Sequence, residues 1–378
     1  MDGDKSAVTS AGPRPLLSVG DGIFLTVGMV VGVGIFKLPS LVAGNTSSPV
    51  MFLLLWAAGG VVSLCGALVY AELAARHAET GGEYVFLQRG LGRGAAFLFA
   101  WSRMTVIQTG AIAAVAFAFG EYATQILALG KHSASLWAAV AVAALTALNL
   151  AGTWESKTAQ KATQIALLTA LVVLALVAFT ADAPAPEIAQ SAAPGNALGV
   201  AMIFVLFTFG GWNEAAYLSG ELREARRNMV RVLVWGILAV TALYLLVNAA
   251  YLSALGLQGM RSSSAVAADA MRLAVGDGGA VAVAVIVCAS ALTTMNAAIF
   301  TGARTNWALG RDYRLFSGLG AWRETGSTPA NSLLVQGAVA LALIGAGSAT
   351  PDGFGAMVAY TAPVFWTKIV VVLISGTG

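Results

Sequence analysis

The sequence predicts an all-α membrane protein of ten transmembrane helices, built as two inverted five-helix repeats. The leading helix of each repeat, the first and the sixth of the chain, is expected to be broken. Three observations predict this. Apolar runs of spanning length recur along the chain, basic residues fall on alternate connections, and glycines interrupt two runs at corresponding places.

The apolar runs come first. Of 378 residues, 58% are hydrophobic and only 10% are charged, against roughly 25% charged in soluble domains. A helix crosses a bilayer with about 20 apolar residues. The candidate spans are Gly22–Val42, Val50–Ala71, Ala95–Phe119, Ser135–Leu150, Thr163–Ala181, Ala197–Leu218, Val230–Leu252, Ala280–Phe300, Ser332–Ala346 and Met357–Ile374. The fourth and ninth are short. The alternation of a membrane β-barrel is missing. Cys65 and Cys288 both fall in apolar runs, so they read as small buried packing residues rather than a disulfide framework. The opening "MDGDKSAVTSAGPRP" lacks the basic-then-apolar build of a signal peptide and reads as a disordered tail over 1–19.

Basic residues set the orientation, because cytoplasmic connections carry an excess of Lys and Arg. With the N-terminus inside, fifteen basic residues fall on inner segments and four (Lys37, Lys131, Arg261 and Arg272) on outer ones. An odd error in the span count would scramble that bias. Both termini are therefore expected in the cytoplasm. Five spans precede the outer linker 182–196, "ADAPAPEIAQSAAPGN" without its first residue, and five follow it. The repeats are then 20–181 and 197–378, and an odd number of spans inverts the second relative to the first.

The interruptions are "GMVVGVGIF" in the first span and "FTFGGWNE" in the sixth. Broken backbone survives at membrane depth only where protein or a polar cavity covers its freed groups. Paired breaks in inverted halves point to a midplane binding site. The N–H groups of Val33, Gly34, Ile35 and Phe36 would open a new half-helix, whose positive end favours a carboxylate. The carbonyls of Phe207, Thr208 and Phe209, beside Gly210 and Gly211, could take an ammonium, with Trp212 as a wall. A ligand bearing both charges, an amino acid, fits such a pair. Gly28 and Gly32 also form a G-x-x-x-G pair, which taken alone reads equally as close helix packing.

Four stretches carry a resemblance. They are "GVGIFKLP", "YAELAARHAETGGEYVFLQRGLG" from Tyr70, "FTFGGWNEAAYLSGELREARRNMVR" from Phe207, and "TTMNAAIFTGARTNWALGRD" from Thr293. With them the chain resembles bacterial permeases of the amino acid–polyamine–organocation superfamily, and most of all its L-type amino acid transporter branch. The resemblance implies the five-plus-five fold in a plasma membrane, the inner membrane of a bacterium. It also implies amino acid transport by alternating access. Carried over by position, carboxylate binding falls on the backbone of Val33, Gly34 and Ile35, and amino-group binding near Phe207 to Phe209. Side-chain specificity falls on Ile107, Gly110, Trp212, Asn213, Met295 and Tyr360. Family members generally have twelve helices, whereas this sequence ends after its tenth, as a truncated permease would. Several relatives place a lysine of the fifth helix beside the first break; here Leu171 aligns there, so lysine-based coupling is not expected.

Ionisable residues inside spans are functional candidates. Arg103 either snorkels or faces the interior with a partner. Glu214, directly after the sixth-span break, either carries a coupling proton or pairs structurally with a cation such as Arg103. Thr293 and Thr294 could complete a sodium site, since hard cations prefer oxygen; each could equally bond its own helix. Lys368 is expected to snorkel inward, and Glu83 to fix an inner loop. The expected partners are an amino acid, the bilayer and a coupling ion, proton or sodium, with proton symport or exchange favoured. No cofactor, metal or nucleic acid is expected. A membrane enzyme would need a nucleophile–base pair or metal set, and the only histidines, His77 and His132, are loop residues. A channel would show pore motifs or charged rings. A non-transporting amino acid sensor stays open as an alternative.

Overall fold

A computed structural model describes residues 18–76, 82–151, 157–181, 197–213, 222–321 and 328–375. Helices make up most of those residues, and beyond the isolated bridge positions Leu222 and Thr328 there is no β-strand among them.

The first predicted span is two helices, α1 (Val19–Val30) and α2 (Gly34–Gly44), bent by 52° across three residues. Ser18 starts α1 with a capping box. Its Oγ accepts from the Asp21 N–H, and the Asp21 carboxylate accepts from the Ser18 N–H. α2 runs through Pro39 to Gly44, although the missing N–H leaves the Ile35 carbonyl without its helical donor.

α3 (Pro49–Arg76) follows, then the short α4 (Gly82–Leu91). The third span is α5 (Arg93–Ser102), a π-helical turn (Arg103–Ile107) and α6 (Gln108–Ile126) in one line. α7 (Ser133–Leu150) and α8 (Lys157–Ala178) complete the first half. In the second half α9 (Leu198–Thr208) is short and stops at a turn. α10 (Ala225–Ser262) and α12 (Asp277–Asp312) flank α11 (Val266–Val275). α10 is longer than a crossing needs, and its excess follows Gly256, whose φ of 64° breaks the helix. A 3₁₀ segment (Arg314–Gly320), α13 (Ala330–Ser348) and α14 (Gly353–Ser375) end the described chain.

Among the described residues, seven helices are long and apolar enough to cross a membrane, and the bent α1–α2 pair makes an eighth. The apolar helices over the fifth and sixth predicted spans, Gln164–Ala178 and Leu198–Thr208, are shorter. Two expectations need correction. Cys65 is exposed on the outside of the bundle, although Cys288 is buried. Lys37, read as an outer-segment residue, is buried within α2.

Amide side chains tie one group of helices together. Asn149 of α7 donates to Asn296 of α12 at 2.6 Å, and Gln108 of α6 donates to the Ala298 carbonyl at 2.9 Å. Gln336 of α13 donates to the Ile299 carbonyl at 3.1 Å. Satisfied polar contacts of this kind fix helix neighbours where the hydrophobic effect cannot.

Candidate functional site

Both breaks open onto one cavity of about 290 Å³. On the first, Val31 still donates to the Val27 carbonyl, and Phe36 is the next residue to donate backward, to Val33 at 3.1 Å. The N–H groups of Val33, Gly34 and Ile35 have no helical turn before them. On the second, Gly210 donates to the Phe207 carbonyl at 3.1 Å and Gly211 turns at φ 113°. That angle suits only glycine, and so does the space: a Cβ on Gly211 would collide with the Met29 carbonyl. The two broken backbones therefore touch directly.

Side chains of α10 and α8 bond carbonyls of α1 and α9. Tyr244 of α10, fully buried, points its hydroxyl at the Val30 and Thr208 carbonyls, 3.0 Å from each. Gln164 of α8 donates to the Phe24 carbonyl at 2.9 Å, and its amide fills the place where Gly28 would carry a Cβ. Gly28 thus serves close packing, but against a side chain of α8. Neither Tyr244 nor Gln164 was singled out in the sequence. Tyr244 stands in the apolar run "LYLLV", whereas Gln164 closes the polar stretch "KTAQKATQ". Leu171 is buried in the core.

Of the residues named from sequence, Val33, Gly34, Arg103, Ile107, Phe207, Thr208, Gly210, Gly211, Asn213 and Thr294 line the cavity. Ile35, Phe36, Phe209, Trp212 and Met295 are buried and lie outside its lining. Phe36 offers its carbonyl to Tyr122 at 2.7 Å, and Trp212 meets Tyr70 edge-on with centroids 5.1 Å apart. Gly110 packs against Thr361. Tyr360 donates to the Thr105 carbonyl at 3.3 Å, and the Thr293 hydroxyl returns to Ser290 of its own helix at 2.8 Å. Glu214 lies outside the described residues. Arg103 opens the π-helical turn, a device that often marks function, and it faces the cavity.

Lys368 corrects the expectation of snorkelling. It is buried and lines one end of the cavity, with Nζ 2.9 Å from Oε1 of Glu83 and 3.1 Å from Oε2. Glu83 is fully buried and also accepts from Tyr70 at 2.9 Å and from Asn213 at 3.2 Å. The Lys368 ammonium sits 4.6 Å from the Phe365 ring centroid. A snorkelled lysine was the cheaper reading while no partner was visible. A carboxylate brought from α4 changes the balance, because a buried charge persists only when paired.

The b(0,+)-type amino acid transporter 1 of Mus musculus is 28% identical over 360 residues, covering 91% of this chain and 72% of the relative. The serine/threonine exchanger SteT of Bacillus subtilis is 27% identical over 229 residues, covering 60% of this chain and 52% of that one. A solved structure of Mhp1 in its inward-facing conformation shares the fold with a TM-score of 0.66 at 12% identity, over 99% of this chain and 80% of that one. The model of the family described as amino acid permease matches residues 17–375, nearly the whole chain, and this protein belongs to that family.

Proposed function

We propose that this protein carries an amino acid across a membrane by alternating access, binding it between the two helix breaks. The observation that carries the reading is the direct backbone contact of Gly211 with Met29 on a cavity lined by both breaks. The ligand's carboxylate meets the N–H groups of Val33, Gly34 and Ile35 at the positive end of α2. Its ammonium meets carbonyls of the α1 end and of Phe207 and Thr208; each carbonyl already bonded keeps a second lone pair. The cavity, at the small end for ligand pockets, suits a molecule of amino acid size.

The architecture that serves this is ten spans in two inverted repeats, 20–181 and 197–378, in a bacterial inner membrane with both termini on its cytoplasmic side. With Lys37 set aside as buried in α2, fifteen basic residues on inner segments against three on outer ones (Lys131, Arg261 and Arg272) support that orientation. Exchange is the favoured mode: a relative is named as an exchanger, and the polar side chain that α8 brings to α1, Gln164 on the Phe24 carbonyl, is an uncharged amide. Sodium at Thr294 and a proton on Glu214 are the alternative couplings.

Uptake and counterflow of radiolabelled amino acids in proteoliposomes test the reading. Saturable uptake that accelerates when the lumen is preloaded with the same amino acid supports it. Purified, folded protein that gives neither, across the twenty amino acids and with or without sodium, rejects it.

A further inference from the structure

Two lysines are buried against carboxylates at opposite ends of the molecule. Lys368 and Glu83 lie at the α4 end. Towards the other end, Nζ of Lys37 lies 3.0 Å from Oε2 of Glu121 and donates to the Ser264 carbonyl at 3.2 Å. The two side chains are 6% and 16% exposed. Lys37 belongs to α2, Glu121 to the far part of α6, and Ser264 to the link between α10 and α11. One ammonium thus joins three elements.

The same seam holds further ties. Tyr122, next to Glu121, donates to the Phe36 carbonyl, and the two rings meet edge-on at 6.4 Å. Arg261 donates to the carbonyls of Ala43 at 3.0 Å and Thr46 at 2.6 Å, covering the C-terminal end of α2. Lys37, Glu121, Phe36 and Tyr122 do not line the cavity. Phe354 does, and its ring centroid lies 5.9 Å from the Lys37 ammonium.

A buried ion pair is a poor stabiliser compared with apolar side chains of the same shape. It does offer two discrete states, closed and dry or open and hydrated. α2 begins with the N–H groups of the first break, one turn before Lys37. A contact that fixes α2 against α6 therefore fixes those groups against the opposite wall of the cavity.

We propose that Lys37 and Glu121 form the outer latch of the transport cycle, closed in this structure and released when the cavity opens to the outside. Lys37 is a positioning residue: it acts on the ligand through α2. The proposal rests on the transport reading above, with the C-terminal end of α2 facing out.

Access to the cavity from outside tests it. In right-side-out vesicles of protein carrying Cys65→Ser and Cys288→Ser, Ala114→Cys places a reporter thiol in the cavity wall. A membrane-impermeant maleimide is added outside. Lys37→Met and Glu121→Gln should each speed labelling by about tenfold or more, as expected when a buried pair loses one partner and a two-state equilibrium shifts. Lys37→Arg should stay near the parent rate. The double variant Lys37→Met/Glu121→Leu leaves no orphan charge to unfold the protein and should label as fast as the singles. Parent-like labelling in variants that still show an amino-acid-induced thermal shift would overturn the latch. A parent protein with no such shift would overturn the transport reading beneath it, so the two failures are distinguishable.

Discussion

The hydroxyl of Tyr244 lies 3.0 Å from the carbonyl oxygen of Val30, the last residue of α1. The same hydroxyl lies 3.0 Å from the carbonyl of Thr208, the last residue of α9. A phenol has one hydrogen to donate, so it serves the two breaks alternately or shares between them. Either way, one side chain of α10 ties both breaks to a common support. Tyr244→Phe removes the donor and leaves two buried carbonyls to find another. An unsatisfied buried group costs about 1–3 kcal/mol, and ~1.4 kcal/mol is a factor of ten in affinity. The variant should fold, and its affinity for the transported amino acid should fall roughly tenfold, measured by ligand-dependent thermal shift. Parent-like affinity would mean that the hydroxyl does not organise the site.

Two glycines separate folding from occupancy. A Cβ on Gly32 meets nothing within 4 Å, whereas one on Gly211 strikes the Met29 carbonyl from a left-handed backbone. Gly32→Val should keep the parent melting temperature and lose binding, because its side chain enters the cavity that Gly32 lines. Gly211→Ala should lower stability by about 1–3 kcal/mol, the cost of a strained backbone conformation. Melting curves with and without amino acid check both. A Gly32→Val protein that binds normally would remove the cavity from the account.

The Lys368–Glu83 pair predicts a pattern across variants. Removing either partner alone leaves a buried charge and should cost about 3–5 kcal/mol. The double variant Lys368→Met/Glu83→Gln should recover much of that loss, because no orphan charge remains. Detergent-melting measurements of the three variants give the cycle. Single losses that simply add in the double would show that the two side chains do not interact.

Gly28 and Gln164 should be coupled. Gly28→Ala must push the Gln164 amide off the Phe24 carbonyl, losing a hydrogen bond worth about 1 kcal/mol. In a Gln164→Ala background the same change should cost little. Equal losses in both backgrounds would contradict the packing.

The fold class was legible because its cause is one-dimensional: a bilayer demands long apolar runs, and those runs stand in the chain as written. The breaks were legible for the same reason, since Gly32, Gly34, Gly210 and Gly211 are local weaknesses in such runs. The site's supports were not. Tyr244, Gln164 and Glu83 act on residues 36, 140 and 285 positions away, at Thr208, Phe24 and Lys368. No local pattern announces such distances. The same reason explains Lys368, whose burial depends on a partner in the other half of the chain. Met295 and Tyr360 stand next to the cavity-lining Thr294 and Thr361 and outside the lining themselves, since a helix has several faces and a motif match fixes the helix before it fixes the face.

The central claim is that main-chain groups of the two breaks hold both charged ends of an amino acid. Isothermal titration of the purified protein with its transported amino acid, the N-acetyl derivative and the carboxamide tests it most directly. The account predicts that the parent amino acid binds and that each derivative, lacking one charge, binds at least tenfold more weakly, about 1.4 kcal/mol or more. Equal affinity for either derivative would contradict it.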